Sequence, residues 1–139
     1  MTAIKIRRLD AEEVWHLAAA LRPLLQKGLS YGPAVWDVDD VIEQAQKNQV
    51  VIWVAIHRDW PRSPDLRMVM VTRVNEYPKA KILFVEILAG KDLSIIEDGY
   101  RRVADWAMEQ GCTVIQAVGR NGWSKVTGWK TMMTIWREL

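Results

Sequence analysis

The chain has 139 residues, of which half are hydrophobic and about a quarter are charged. This length and composition predict one globular domain over residues 1–139, large enough to bury a core of its own. The net charge is only +2 and no run of lysines or arginines is longer than two residues, so no dedicated nucleic-acid-binding face is predicted.

Further function classes are disfavoured by the hydropathy pattern and by the cysteine content. No apolar run approaches the roughly 20 residues of a membrane-spanning helix, and the polar, charged first residues predict no signal peptide. A single cysteine, Cys112, excludes an internal disulfide and suits a reducing compartment. Because Cys112 begins an apolar segment, we interpret it as a buried, inert thiol rather than a reactive one.

The first third of the chain predicts a strand followed by two helices. Apolar and charged residues alternate over residues 4–7, which is typical of a short, half-exposed strand. Asp10 and Glu13 have capping-box spacing and predict the beginning of a helix. Pro23 is expected to kink or end that helix, and the glycines and proline of residues 28–33 indicate a loop. A second helix is predicted after Asp37.

The remainder predicts a sheet interrupted by one long helix. Apolar strands are expected at 50–56, 68–74 and 82–88, the last two paired antiparallel. A helical stripe then ends at Gly111, which is expected to cap the helix. The stripe consists of Leu93, Ile96, Tyr100, Val103 and Ala107. With further strands at 113–118 and 129–136, the order predicts a mixed α/β (α+β) fold with a mostly antiparallel central sheet flanked by helices.

The segment 105–112, with the sequence Asp-Trp-Ala-Met-Glu-Gln-Gly-Cys, resembles the helix-to-strand passage of the GNAT superfamily of N-acetyltransferases. Gly128 and Trp129 resemble the Gly-Phe pair that commonly opens the final strand of that family. The resemblance covers essentially the whole order of elements. It implies a GNAT-like sheet in which acetyl-coenzyme A is held between two strands, with its pyrophosphate at the beginning of the intervening helix.

Aligned on the family, the pyrophosphate loop falls on residues 91–96, with the sequence Lys-Asp-Leu-Ser-Ile-Ile. Ser94 and Ile96 stand where the family has small residues, so bulk replaces the glycines that let backbone N–H groups approach phosphate. We therefore expect either no cofactor or, as the alternative, acetyl-coenzyme A. If acetyl-coenzyme A binds, the resemblance places it on Leu88, Lys91, Leu93, Ser94 and Ile95.

Glu86 is the best candidate for the base that takes a proton from an acceptor amine, because it is a polar residue within an apolar strand. A solvent-facing carboxylate, or one paired with Arg73, is the structural alternative. His57 at a strand end is a second candidate base, with exposed polar surface as its alternative. The sequence shows no His, Cys or carboxylate cluster at ligand spacing, so no metal site is expected.

The string Gly119-Arg120-Asn121-Gly122-Trp123 is similar to one found in small GNAT-like proteins encoded in the structural gene clusters of tailed phages. Arginine and tryptophan are enriched at binding hot spots, so Arg120 and Trp123 are candidates for gripping a protein partner, with a tight turn as the alternative. The resemblance implies a phage or prophage protein of the bacterial cytoplasm or the virion. It would be catalytically degenerate and act as a virion or assembly component, with an active acetyl-coenzyme A-dependent N-acetyltransferase as the alternative.

Overall fold

The computed structural model describes residues 4–32, 35–57, 66–90, 95–117 and Arg137. In this part of the chain, strands and helices follow one another in the order βααβββαβ that the sequence predicts. The elements are β1 Ile4–Arg8, α1 Ala11–Leu29, α2 Val38–Gln46, β2 Val51–His57, β3 Leu66–Glu76, β4 Lys81–Gly90, α3 Ile95–Glu109 and β5 Val114–Ala117. The predicted closing strand at 129–136 lies outside the described residues.

The five strands of the described residues form one sheet in which each strand lies beside its neighbour in the sequence, β1-β2-β3-β4-β5. The first three pairings are antiparallel, whereas β4 and β5 run parallel because α3 connects them. The predicted fold class, a mixed and mostly antiparallel sheet flanked by helices, is therefore confirmed.

Hydrophobic cores lie on both faces of this sheet. One face packs against α1 and α2, and its buried side chains include Leu21, Leu25 and Val41 from the helices. The other face packs against α3 through Val103 and Ala107. β2 is central to both layers and is buried from Ile52 to Ile56. No described helix is long and apolar enough to cross a bilayer.

Helix α1 continues through Pro23, where the sequence predicts a kink or an end. The predicted capping box of Asp10 and Glu13 is present at its beginning. Proline inside a helix costs about 3 kcal/mol, but Leu21 and Leu25 on either side of it are both fully buried. Burial of two such side chains contributes roughly 1.5–3 kcal/mol each, enough to hold the helix together.

The same helix also contains Gly28, which the sequence assigned to a loop. A Cβ atom at Gly28 would lie 2.4 Å from Cγ2 of Ile87, so the glycine lets α1 pack closely on β4. A hydrogen bond from Lys27 Nζ to the Gly90 carbonyl, 3.3 Å long, joins the same two elements. The end of α1 is thereby fixed over the second half of β4.

Helix α3 meets the sheet along a line that passes through Gly99 rather than Tyr100. Gly99, Val103 and Ala107 are buried at spacings of four, whereas Tyr100, which the sequence placed on the inner stripe, is 42% exposed. A Cβ atom at Gly99 would lie 1.9 Å from Cγ1 of Ile6 and 3.0 Å from its Cβ. Close approach of α3 to β1 therefore rotates Tyr100 outward.

We predict that Gly99→Ala destabilises the protein by about 1–3 kcal/mol, since the new methyl group overlaps Ile6. Helix propensity alone predicts the opposite sign, with alanine more stable by about 1 kcal/mol. The free energy of unfolding from denaturant titration measures the difference. Gly32→Ala is the control, because its Cβ would meet no atom within 4 Å; a stabilised Gly99→Ala variant would contradict the packing described for α3.

Candidate functional site

Glu86 is an extra residue in β4. Val71 of β3 pairs with Ile87 and Thr72 pairs with Val85, so Glu86 has no partner in the antiparallel register. Such a bulge turns two consecutive side chains toward one face and bends the strand. Accordingly, Val85 packs in the core under α3 while Glu86 and Ile87 both face α1 and α2. The last described parallel pair between β4 and β5, Val85 with Ala117, immediately precedes it.

The Glu86 carboxylate is held by Arg73 of β3. Arg73 Nε donates a hydrogen bond of 2.7 Å to Glu86 Oε1, and the side chains are 31% and 21% exposed, respectively. Arg73 Nη2 donates a second hydrogen bond, 2.6 Å long, to Gln44 Oε1 in the last turn of α2. The Trp36 ring lies beneath the guanidinium, with its centroid 5.8 Å from Cζ. These four residues are the Arg73 cluster.

Helix α2 supplies the Arg73 cluster from both of its ends. Asp37 caps the helix in a capping box with Asp40, and Trp36 directly precedes this cap. Gln44 lies two turns further, beside the buried stripe of Val41 and Ala45. The fixed beginning of the helix and its buried face therefore place both the indole and the amide against Arg73.

An open concavity of about 620 Å³ adjoins the cluster, and Arg73 forms part of its wall. The rest of the wall consists of Val74 and five polar residues, Gln44, Gln49, Asn75, Glu76 and Tyr77. Two of the lining residues, Arg73 and Glu76, are charged, and each lies near an opposite charge. Arg73 is paired with Glu86, and Glu76 Oε1 lies 3.8 Å from Lys81 Nζ. The concavity is therefore mostly polar, and Glu86, which is not part of its wall, is joined to it through Arg73.

The structure separates the predicted site residues. Glu86 faces α2, whereas Leu88 is half-buried on the opposite face of β4, in the core under α3. Ile95 begins α3, but its side chain lies outside what is described, as does that of His57. Lys91, Leu93, Ser94, Arg120 and Trp123 lie wholly outside the described residues. The roles predicted for these residues therefore stay predictions.

Cys112 is buried, and this burial raises the pKa of its thiol above the ordinary value, although the positive charge of Lys81 acts in the opposite direction. A raised pKa lowers the thiolate fraction at neutral pH and supports the inert interpretation. Within residues 4–32, 35–57, 66–90 and 95–117, no three His, Cys, Asp or Glu side chains are grouped so that they could hold a metal ion.

The sequence suggests the Arg73 pairing, and the structure contains it. Sequence reasoning missed Gln44 and Trp36. Gln44 borders an apolar stripe and Trp36 lies in a connecting segment without periodicity, so neither carries a pattern that points to β3. The only usable signal was the position of Gln44 itself, since a polar residue at the edge of the apolar stripe of α2 can face a polar residue of the sheet.

We predict a coupling energy of about 1 kcal/mol between Arg73 and Glu86, because both side chains are mostly buried. A double-mutant cycle of Arg73→Met and Glu86→Met, read by denaturant unfolding, measures it. The exposed pair of Lys47 and Glu43, 2.9 Å apart, is the matched control; the corresponding Met substitutions should give about 0.3–0.5 kcal/mol. A coupling at Arg73 no larger than the control would show that solvent screens this pair as well.

No protein-family model matches the sequence, and no curated protein resembles it closely enough to count as a relative. Solved structures do match over nearly the whole chain. An aminoglycoside acetyltransferase from an uncultured soil metagenomic sample, in complex with sisomicin, superposes with a TM-score of 0.71 at 12% identity, covering 99% of this chain and 97% of that one.

Two other acetyltransferases superpose similarly. The ribosomal-protein-alanine N-acetyltransferase of Brucella melitensis biovar Abortus has a TM-score of 0.67 at 14% identity, over 99% of this chain and 97% of its own. A predicted acetyltransferase from Clostridium acetobutylicum, solved with acetyl-CoA, has a TM-score of 0.66 at 14% identity, over 98% and 95%. Identities this low show the fold alone. The chain has the GNAT fold.

Proposed function

We propose that the chain is an acetyl-coenzyme A-dependent N-acetyltransferase in which Glu86 takes a proton from the acceptor amine. The single observation that carries this proposal is the position of Glu86, an unpaired bulge residue of β4 whose carboxylate is held by Arg73 at the wall of a polar concavity. Bulges are over-represented next to active sites, where they redirect a side chain. The solved acetyltransferases of the same fold, among them one with acetyl-CoA, support the reaction class.

In this proposal the acetyl end of the substrate lies along the edge of β4, between the face of Glu86 and the face of Leu88. β4 continues for five residues beyond its last described pair with β5, and this length of strand includes the predicted contact residue Leu88. Gly90 is no cradle for a ligand, because a Cβ atom there would lie 2.7 Å from the Arg67 carbonyl oxygen of β3. Lys91, Leu93, Ser94 and Ile95 would hold the remainder.

When bound, acetyl-coenzyme A supplies a thioester whose C–S bond is exchanged for a C–N bond to the acceptor amine, with release of the thiol and one net proton. An amine that enters as ammonium must lose a proton before its lone pair can react. Glu86 accepts that proton from its partly exposed position and passes it to solvent. Arg73 holds the carboxylate in place through one oxygen.

The second candidate function is that of a non-catalytic protein of phage or prophage origin, a component of a virion or of its assembly that binds a protein partner. Two observations favour it. Ser94 and Ile96 replace the small residues of the pyrophosphate loop, and the Glu86 carboxylate is already paired with Arg73. Arg120 and Trp123 would then contact the partner.

We predict that acetyl-coenzyme A raises the melting temperature of the chain, since a ligand selective for the folded state stabilises it by mass action. At one hundred times the dissociation constant the gain is about 2.7 kcal/mol. Ser94→Trp should abolish the shift, whereas Thr113→Trp, at an exposed position, should leave it. No shift with the wild-type chain would favour the non-catalytic candidate, as would recovery of the chain in purified virions.

We predict that Glu86→Gln lowers kcat by about 10²–10⁴-fold, the usual contribution of a positioned base. Its dissociation constant for acetyl-coenzyme A should be unchanged, because the substitution removes proton transfer and not volume. Thiol release from acetyl-coenzyme A in the presence of a mixture of amines measures the rate. Glu43→Gln on the exposed side of α2 is the control. Equal rates for Glu86→Gln and the wild type would remove Glu86 from the mechanism.

A further inference from the structure

Arg73 has hydrogen-bonding capacity that the described residues leave unused. A guanidinium carries five N–H groups, and Arg73 uses one on Nε for Glu86 and one on Nη2 for Gln44. Its other three N–H groups have no partner among the described residues. The side chain is 31% exposed and lines the concavity, so these N–H groups are accessible to a bound molecule.

The guanidinium is also fixed before any ligand arrives. Glu86 holds one edge, Gln44 holds a second, and the Trp36 ring lies against its face. A planar fork held in this way loses little conformational entropy when it binds a carboxylate, and its geometry suits that group. A site with this preorganisation binds more tightly than a free arginine on a surface.

The pair offers a ligand two opposite charges side by side. The positive group of Arg73 and the negative group of Glu86 are 2.7 Å apart. In the zwitterion of an α-amino acid, the ammonium and the carboxylate are both attached to the α-carbon, which holds the nitrogen and the nearer carboxylate oxygen at a comparable separation. Such a ligand can place its ammonium on Glu86 and its carboxylate on the free N–H groups of Arg73, so that each charge meets its opposite.

We infer that the acceptor is a free α-amino acid, whose carboxylate is bound by Arg73 while Glu86 binds its amine. This inference rests on the proposed function, because it names the substrate of the same site. The side chain of the amino acid then lies in the concavity among Gln49, Asn75 and Tyr77. A peptide N-terminus or a simple amine leaves the donors of Arg73 without a carboxylate and binds more weakly.

The test measures binding to the full chain without acetyl-coenzyme A. Each of the common L-amino acids is titrated beside its own α-amide, which keeps the ammonium and lacks the carboxylate, and dissociation constants are read from NMR shifts or calorimetry. We expect at least one amino acid to bind roughly tenfold more tightly than its amide, the size of one charge-assisted contact in a half-open site. Arg73→Gln should bring that ratio close to one, and Arg73→Lys should retain part of it.

Arg7→Gln is the matched control, because Arg7 is also paired with a glutamate but lies on β1; it should leave the ratio unchanged. The inference is overturned if no amino acid binds, if amides bind as tightly as amino acids, or if the ratio survives Arg73→Gln. The comparison of amino acid with amide in the wild-type chain requires no variant to fold. Because acetyl-coenzyme A is absent, failure here is distinct from failure of the proposed function, which the cofactor's own thermal shift reports.

Discussion

The single extra residue in β4 is the constraint that fits helix α1 onto the sheet beside the candidate site and leaves Glu86 without a strand partner. A regular strand at this position would place residue 86 on the face opposite Val85 and residue 87 under α3. With the bulge at Glu86, Ile87 lies against α1 instead, and a close approach at Gly28 fits α1 onto it. The bulge therefore sets the face of Ile87 and the position of the helix end above β4, while Glu86 faces α2 on the side opposite Val85.

On the face of the sheet that packs against α3, a hydrogen bond between two buried side chains lies inside the apolar core. Trp53 of β2 is buried and donates from Nε1 to Thr72 Oγ1 at 3.0 Å. Thr72 is the one buried polar residue among those described. The Trp106 ring of α3 meets Trp53 edge to face at 5.5 Å, and Arg8 covers Trp106 from β1. Since Thr72 precedes Arg73 and alternates with it across β3, the contact that satisfies the indole also directs the guanidinium to the other face.

Local patterns predicted most elements of the fold because those elements are determined locally. The capping boxes at Asp10 and Asp37, the continuous apolar run of β2 and the left-handed Gly111 each act within a few residues. Tertiary packing overrode the local signal at Pro23 and at Tyr100. The bulge was not predictable either, since only the pairing of β3 with β4 shows that residue 86 is supernumerary. Gln44 and Trp36 contact Arg73 because α2 packs on the sheet, which no local pattern specifies.

The energetics of the Arg73 cluster bear on whether it serves structure alone. An ion pair that is mostly buried contributes little net stability compared with apolar residues of similar volume, and a bulge leaves one residue of the ladder unpaired. A sheet that needed only stability would therefore favour apolar residues in a regular strand here. This chain instead combines three features at one place: a bulge, an arginine with N–H groups that have no partner among the described residues, and a polar concavity. Local departures from the most stable arrangement that coincide in space are typical of sites that bind or react, which favours a ligand at this face of β4.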